Sequence, residues 1–345
     1  MQEYDMVLCL VFAILGSFLL AVFVSWVIKK YAFSLGMVDV PNERSLHVIE
    51  TPRGGGLGII APMVIALIIM MLGRFYDNRS LAALMCSTLI LALTGWFDDR
   101  FGLHVLSRIV IQVFAGIIVL SMLGAYEQLE LAGKIIFLGS LAPLVTLFWF
   151  LWMTNLYNFM DGIDGVAASQ AAIAGFFLGL WFAIHNDYVM ALFSYVIMSA
   201  SLGFLVWNWA PARLFMGDVG SLALGGVFSV IALIAYKKHG IPFGAIVLLF
   251  GVFIADTTFT LIKRVLQRKA FWRAHREHVY QKAVAAGWSH LRVTTSVIVI
   301  SVIMATLGTF EMLRVYPQQL WQPLGILLLA TIAVVMVRRT VSIID

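Results

Sequence analysis

Five aspartates lie at the ends of apolar stretches, in three separate segments of the chain. Asp98 and Asp99 occur in Gly-Trp-Phe-Asp-Asp-Arg, and Asp218 occurs in Phe-Met-Gly-Asp-Val-Gly-Ser. Asp161 and Asp164 occur in Asn-Phe-Met-Asp-Gly-Ile-Asp-Gly. Any one of these carboxylates is most simply solvated in a membrane headgroup region. If the three segments meet, their charges repel each other, and a hard divalent cation relieves that repulsion. The pattern therefore favours a metal site.

The stretch from residue 155 to residue 165 carries a polar side chain at every third position, namely Asn155, Asn158, Asp161 and Asp164. On a regular helix, positions three apart drift by about 60° per step, so these side chains cannot all share one face. Gly162 and Gly165 suggest that a helix ends here and that a tight turn follows. The polar groups then either satisfy the helix end or grip a nucleotide and a metal.

The glycines of Thr51-Pro-Arg-Gly-Gly-Gly-Leu-Gly58 precede an apolar stretch, where exposed backbone N–H groups at a helix start could cradle an anion. The loop lacks the Gly-x-x-x-x-Gly-Lys-Ser/Thr pattern of P-loop nucleotidases. Simple flexibility of the loop is the alternative interpretation.

A polar segment near residues 271–282 reads Phe-Trp-Arg-Ala-His-Arg-Glu-His-Val-Tyr-Gln-Lys. Arg273 and Arg276 offer fork-shaped donors to diphosphate oxygens, and His275 and His278 can donate or exchange protons near neutral pH. A basic patch that only contacts lipid headgroups is the alternative, but such a patch needs no histidines.

The elements that must position these residues are membrane helices. Of the 345 residues, 62% are hydrophobic and 12% charged, and the mean hydropathy is +0.97. One soluble core of this size cannot bury so much apolar surface. About eleven stretches are long enough to cross a bilayer, near 7–28, 57–73, 81–97, 105–123, 135–154, 166–185, 188–206, 220–236, 242–262, 293–313 and 320–337. We predict an all-α, polytopic integral membrane protein with a single domain, residues 1–345, and a first span that is retained and is not a signal peptide.

The basic residues predict the orientation, because cytoplasmic loops are enriched in Lys and Arg. With eleven spans and the N-terminus outside, most of the 23 Lys and Arg residues lie on the cytoplasmic side, including those of segments 29–56 and 263–292. The five aspartates then reach the same face. The net charge of +5 suits contact with a lipid phosphate and a nucleotide diphosphate.

Together these motifs resemble glycosyltransferase family 4, the polyprenyl-phosphate N-acetylhexosamine-1-phosphate transferases. That family includes the phospho-MurNAc-pentapeptide translocase and enzymes that initiate O-antigen, common antigen and teichoic acid linkage units. The resemblance runs almost end to end and is carried, in the family's order, by Asp98-Asp99, Asn155-x-x-Asn158-x-x-Asp161-Gly-x-Asp164-Gly, Phe215-Met-Gly-Asp218-x-Gly-Ser221 and His275-x-x-His278.

The resemblance implies a reaction in which a polyprenyl (undecaprenyl) phosphate attacks the sugar-side phosphorus of a UDP-N-acetylhexosamine and releases UMP. It implies Mg²⁺ as cofactor, with Mn²⁺ as a substitute, held by Asp99 and Asp218. Such phosphoryl transfer depends on in-line positioning and charge neutralisation more than on covalent chemistry. The implied location is the bacterial inner membrane, with a cytoplasmic active site. We expect the lipid bilayer as a partner and no nucleic acid, and we leave a homodimer open.

The resemblance also implies roles for individual residues. Asp98 lies near the lipid phosphate as a ligand or base, and Asn155, Asn158, Asp161 and Asp164 belong to the nucleotide and metal side. His275 and His278 help hold the sugar diphosphate, to which Arg273 and Arg276 are the fork-shaped donors suggested by their chemistry. The lipid phosphate is assigned to Arg44, His47 and Arg108.

Three departures from the family pattern matter. Arg108 stands at a position where the family commonly has Lys. Ser45 follows Arg44 where the family often has Arg-Lys before the histidine. His-Arg-Glu-His replaces the three consecutive histidines of the peptidoglycan enzyme, which argues against a muramyl-pentapeptide substrate and favours the branch that initiates O-antigen.

A cation-coupled membrane transporter is the rival interpretation, because it too is polytopic and marked by acidic residues. Transporters usually place these residues near the midplane, on broken helices of internal repeats. Here most of the acids lie at the ends of spans, with Asp256 as the main exception.

Overall fold

The computed structural model describes residues 3–41, 50–269, 276–316 and 320–329, and these residues are mainly helical. The helices are α1 (Glu3–Leu35), α2 (Leu57–Leu72), α3 (Asn78–Phe101), α4 (Val105–Leu123), α5 (Ala142–Met160), α6 (Val166–Ile184), α7 (Tyr188–Asn208), α8 (Asp218–His239), α9 (Phe243–Leu249), α10 (Gly251–Leu266), α11 (Val279–Ala285) and α12 (His290–Met312). Residues 321–329 are also helical.

Two small antiparallel sheets connect helices. Strand β1 (Val38–Asp39) pairs with β2 (Thr51–Pro52), with Val38 opposite Pro52. Strand β3 (Gln128–Leu131) pairs with β4 (Lys134–Phe137), with Leu131 opposite Lys134. Both sheets lie in connections between helices, and the helices form the body of the protein.

Among the described residues, eight helices are long and apolar enough to cross a membrane: α1, α3, α4, α5 with the turn before it, α6, α7, α8 and α12. Helices α9 and α10 meet at 83°, a geometry shared by broken spans and re-entrant loops, and α2 is a shorter apolar helix of 16 residues. The predicted all-α, polytopic membrane fold is confirmed. The number of eleven spans stays a prediction, because the last one, near 320–337, lies partly outside the described residues.

Helix α8 is the centre of the bundle and is almost entirely buried, packed between α3 and α5. Small residues permit this close approach. A Cβ on Gly95 would lie 2.2 Å from the backbone carbon of Asp218, and one on Gly225 would lie 2.7 Å from Cα of Thr154. By contrast, α1 and α4 are mostly exposed and present apolar side chains outward, as expected for helices that face lipid.

The helices alternate in direction, so the last residues of α3, α5 and α7 meet the first residues of α4, α6 and α8. We call this end of the bundle the acidic end, because it carries Asp98, Asp99, Asp161, Asp164 and Asp218. The opposite end carries the β3–β4 hairpin, which is joined to the last turns of α8 by a hydrogen bond from Gln128 N–H to the Tyr236 hydroxyl.

Candidate active site

Asp98 is held by the turn that ends α3. Gly102 adopts φ +66°, a left-handed conformation that glycine accepts readily, and the chain reverses there into α4. Asp98 Oδ1 accepts a hydrogen bond from Leu103 N–H at 2.7 Å, and Oδ2 lies 2.6 Å from Nη1 of Arg108 on α4. Both oxygens of this largely buried carboxylate therefore have a donor, one of them a cation.

Asp99 caps the central helix. Its Oδ1 accepts from Asp218 N–H at 3.0 Å and its Oδ2 accepts from Val219 N–H at 3.1 Å. Negative charge is stabilised at the start of a helix, where backbone N–H groups lack helical partners. Arg53 donates to the backbone carbonyl of Asp99, and its Nε lies 3.8 Å from Oδ1. Asp99, at 2% exposure, thus fixes the helix that carries Asp218.

Asp218 is the first residue of α8 and the point where three segments meet. Its Oδ1 accepts from Nδ2 of Asn158 at 2.8 Å, and its Oδ2 lies 3.4 Å from Nη1 of Arg108. The same Asn158 amide also reaches the hydroxyl of Ser221, one turn further along α8, at 3.0 Å. The Asp218 side chain retains 29% exposure, so its carboxylate is accessible from the acidic end.

The glycine loop supports this arrangement by close packing. Gly55 N–H donates to Phe215 carbonyl at 2.9 Å and Gly56 N–H donates to Met216 carbonyl at 2.8 Å, so these two amides are not available to cradle an anion. A Cβ on Gly56 would lie 2.3 Å from Cα of Gly220. The loop therefore braces the segment before α8, and the anion-cradle hypothesis is wrong for these two donors.

A tight turn follows α5, as predicted from the asparagine and aspartate spacing. Helix α5 ends at Met160 and Asp161 follows as its C-cap. Asn155 faces the bundle and pairs with the buried Gln112 of α4, its Nδ2 lying 2.7 Å from the Gln112 Oε1. Burial, then the negative charges of Asp218 and Asp99, raises the pKa of Asp161 well above its usual range. Of this segment, Asn158 and Asp161 lie near Asp218. Asn155 instead links α5 to α4 through Gln112.

Asp164 faces a different set of partners. Its Oδ2 accepts from Ala212 N–H at 3.0 Å, and its Oδ1 lies 3.1 Å from Nδ1 of His290 at the start of α12. The Thr294 hydroxyl also donates to the Asp164 backbone carbonyl at 2.7 Å. These contacts tie the turn to α12 and to the segment before α8. The nucleotide-side role predicted for Asp164 stays a prediction.

His278 is buried and immediately precedes α11. Its Nδ1 lies 3.1 Å from Oδ1 of Asp256, and its ring stacks on Tyr280 at a centroid distance of 5.7 Å. Arg276 is exposed. Four other predicted site residues lie outside the described residues: Arg44, His47, Arg273 and His275. The roles assigned to all six remain predictions.

Several residues of this end were not among the predicted site residues. Arg53 contacts Asp99, Gln112 pairs with Asn155, and Ser221 shares the amide of Asn158. Arg53 stands beside the glycines already noticed, and Ser221 belongs to the Phe-Met-Gly-Asp motif, so both had a signal in the sequence. The only sequence signal for Gln112 was that it is a polar residue within an apolar stretch.

A divalent cation fits the charges of this end. Asp98 and Asp218 both lie against the guanidinium of Arg108, whose Nη1 is 2.6 Å from Oδ2 of Asp98 and 3.4 Å from Oδ2 of Asp218. Asp161 is near enough for the charge of Asp218 to disfavour its ionisation. Among the described residues, no group of three or more His, Cys, Asp or Glu side chains is already arranged to hold a metal ion. The donor set is nevertheless the hard oxygen type that Mg²⁺ prefers.

The central part of the chain matches a known protein family. Residues 81–236 match the sequence profile of glycosyl transferase family 4. The matched range runs from α3 to α8 and includes Asp98, Asp99, Asp161 and Asp218. It therefore contains the acidic cluster and the helices that position it.

Curated bacterial proteins are similar over most of their length. A probable undecaprenyl-phosphate N-acetylglucosaminyl 1-phosphate transferase of Bacillus subtilis is 29% identical over 285 residues, covering 81% of this chain and 79% of the relative. A decaprenyl-phosphate N-acetylglucosaminephosphotransferase of Mycobacterium tuberculosis is 30% identical over 297 residues, covering 77% and 73%. A phospho-N-acetylmuramoyl-pentapeptide-transferase of Bacillus subtilis is 26% identical over 324 residues, covering 87% and 97%.

Proposed function

The chain belongs to glycosyl transferase family 4, and from that membership we propose that it transfers an N-acetylhexosamine 1-phosphate from a UDP-sugar to a polyprenyl phosphate. In this reaction an oxygen of the lipid phosphate forms a bond to the sugar-side phosphorus of the donor. The bond from that phosphorus to the bridging oxygen breaks, and UMP leaves. The products are a polyprenyl diphosphate sugar and UMP.

One observation carries the proposal: Asp98 of α3 and Asp218 at the start of α8 share Arg108 at one end of the bundle, and Asp161 at the end of α5 lies in the field of Asp218. Clustered acids with a single bridging cation are costly unless a further cation joins them. Substrates that bring phosphate groups together with a divalent ion meet that need. Simple solvation of separate carboxylates does not explain why three segments converge.

The chain's own residues have distinct tasks in this proposal. Arg108 donates to the anionic oxygens of the lipid phosphate and neutralises charge as the new bond forms. Asp98 orients Arg108 through the 2.6 Å contact. Asn158 and Asp99 fix Asp218, one through its carboxylate and the other through its backbone N–H.

We assign Asp218 and Asp161 to hold Mg²⁺, with Asp98 nearby. When bound, the ion neutralises charge on the diphosphate and stabilises the departing UMP. Asp99 was predicted as a ligand, but two backbone N–H groups of α8 occupy its oxygens. We therefore propose that Asp99 positions Asp218 and the ion through the helix.

We propose that the protein lies in the bacterial inner membrane, with its N-terminus outside. The acidic end then faces the cytoplasm, because the basic residues concentrate on that side. We further propose that the product primes O-antigen or another cell-envelope polysaccharide. Sealed vesicles test the sidedness, since a UDP-sugar does not cross a bilayer. Transfer should occur with inside-out vesicles and should be absent with sealed right-side-out vesicles.

The deciding experiment incubates purified protein with undecaprenyl phosphate and a panel of radiolabelled UDP-N-acetylhexosamines. The expected result is a labelled polyprenyl diphosphate sugar, with one UMP released per product. A chelator should stop the reaction, and Mg²⁺ or Mn²⁺ should restore it. The sugar that reacts fastest identifies the donor.

The matched control is Asp218→Asn protein purified in the same detergent. If folded wild-type protein makes no product from any sugar, while a known transferase is active beside it, the proposed reaction is wrong. In that case a cation-coupled transporter becomes the leading alternative, and ion flux in proteoliposomes is the next measurement.

A further inference from the structure

Asp256 is a buried carboxylate on α10, apart from the acidic cluster. Its Oδ1 accepts from Thr260 Oγ1 at 3.2 Å, from Val279 N–H at 2.9 Å, and from Nδ1 of His278 at 3.1 Å. Its Oδ2 accepts from Tyr280 N–H at 3.1 Å. Three of the four donors belong to the start of α11. Because a buried carboxylate is stable only when its oxygens are satisfied, Asp256 and the first turn of α11 hold each other in place.

The first turn of α11 in turn braces the end of α5. The Tyr280 hydroxyl donates to the Phe159 backbone carbonyl at 2.9 Å. A Cβ on Gly162 would lie 2.0 Å from that hydroxyl, so the turn after α5 closes directly over the tyrosine. The ring of Phe159 also lies 6.2 Å from the ring of His278. Residues 159–162 are therefore packed against α11.

This braced turn carries two residues of the acidic end. Asn158 precedes Phe159 and donates to Asp218 Oδ1 at 2.8 Å, and Asp161 follows two residues later. A continuous set of hydrogen bonds and packing contacts thus runs from Asp256 through Tyr280 to Asp218. Each step is a direct contact or a neighbour in the chain.

We propose that Asp256 is a positioning residue of the active site, acting through His278 and Tyr280 of the α11 start to hold Asn158 and Asp161 against Asp218. Asp256 does not touch substrate in this proposal, and His278 acts from a buried position as part of the brace. The inference rests on the proposed function for its kinetic readout and on the geometry alone for its structural readout.

The test compares Asp256→Asn and Tyr280→Phe with the control Thr260→Val. An asparagine cannot accept from both sides of the α11 start, because one of its two polar atoms is a donor. Tyr280→Phe removes only the hydroxyl that reaches Phe159. Thr260→Val removes a contact of Asp256 that does not lead to α11.

The first readout is kinetic. Asp256→Asn and Tyr280→Phe should each lower kcat about tenfold, with the KM for the UDP-sugar changed less than about twofold, because misplacement of Asn158 and Asp161 affects the transition state most. The double variant should lose little more than Asp256→Asn alone, since both changes break one line of contacts. Thr260→Val should retain wild-type kcat within about twofold.

The second readout is hydrogen exchange of folded protein in detergent, which needs no turnover. Asp256→Asn and Tyr280→Phe should speed exchange in peptides from residues 155–165, and Thr260→Val should not. Unchanged exchange there in both variants, or fully additive kinetic losses, overturns the proposal. If Asp256→Asn does not fold, Tyr280→Phe decides alone. If the wild-type protein transfers no sugar, the proposed function fails, and the exchange result still decides this inference.

Discussion

The carboxylates at the two ends of the helix bundle differ in how they are paired with basic residues. At the opposite end, each of four described carboxylates has its own basic partner, in the pairs Asp77 with Lys238, Glu127 with Lys237, Glu130 with Arg314 and Asp187 with His239. At the acidic end, Asp98 and Asp218 share Arg108, and Asp161 lies in the field of Asp218. A fifth carboxylate at the opposite end, Glu311, bonds to the amide of Gln322. Within the cluster of Asp98, Asp99, Asp161 and Asp218, by contrast, the cationic contacts among the described residues come from Arg53 and Arg108.

The different pairing of carboxylates at the two ends indicates where a charged ligand would bind. A partly exposed pair such as Lys237 with Glu127 contributes little to stability. The more buried Asp187 has both His239 and the Tyr76 hydroxyl as partners. A cluster of like charges costs free energy in the folded protein, so it persists only where another charge joins it during function. This contrast supports the proposal that a divalent ion and phosphates complete the charge balance of the acidic cluster.

The largest effect is expected at Asp218. Asp218→Asn removes a negative charge from the point where α3, α5 and α8 meet, and should lower UMP release by at least about a hundredfold. The size and side-chain shape barely change, so Tm in detergent should stay close to wild type. Transfer within tenfold of wild type would remove Asp218 from the proposed metal set.

A smaller loss is expected at Arg108. Arg108→Lys keeps the charge but loses the planar fork that contacts Asp98 and Asp218, so kcat should fall about tenfold. The KM for polyprenyl phosphate should rise as well if Arg108 binds the lipid phosphate. A variant with unchanged KM and lowered kcat would show instead that Arg108 mainly orders the two aspartates.

Two glycines at the two ends of α8 give a matched comparison. Gly217 has φ +75°, and a Cβ there would lie 2.5 Å from Oδ2 of Asp99. Gly240 has φ +62°, and a Cβ there would meet nothing within 4 Å. Gly240→Ala should cost about 1–2 kcal/mol from backbone strain in the left-handed region. Gly217→Ala should cost more, because φ +75° with ψ 170° is essentially restricted to glycine and the added Cβ also meets Asp99.

The two variants should differ in activity. Gly217→Ala should also lower transfer, because it displaces Asp99 from the start of α8. Gly240→Ala should lower Tm and leave the turnover of the folded protein unchanged. Equal activity of the two variants at a temperature where both are folded would contradict the role given to Asp99.

The smallest effect is expected for Lys237→Gln at the opposite end. Its partner Glu127 is largely exposed, so the ion pair is screened by water. Both turnover and Tm should stay at wild-type values within experimental error. A clear loss of transfer would show that the opposite end takes part in function and would break the comparison of the two ends.

Much of the fold follows from local pattern. Long apolar runs predicted most of the helices, and the glycines at 162 and 165 predicted the turn after α5. Hydropathy predicts one continuous span across the bend between α9 and α10, because both halves are apolar and Gly251 at the bend is a residue that also occurs inside membrane helices. Contacts with neighbouring helices are what stabilise such a bend.

The candidate site, like the fold, was predicted from the sequence only in part. The motifs named Asp98, Asp99, Asn158, Asp161 and Asp218, and the structure places these residues at one end. Spacing alone could not separate Asp164, which ties α12 to the turn, from Asp161, which lies near Asp218. Two aspartates three residues apart share the same local sequence, and only their surroundings distinguish them.

The sequence by itself determined that this protein crosses a membrane, that its acids lie at the ends of spans, and which family it resembles, because hydropathy and motif order are properties of the chain. Only the tertiary structure decided that Asp99 caps α8 and that Asp256 braces α11. Those roles depend on which backbone N–H groups lie opposite each carboxylate. Residues more than 100 positions apart meet there, as Asp99 and Asp218 do, and no local pattern encodes that distance.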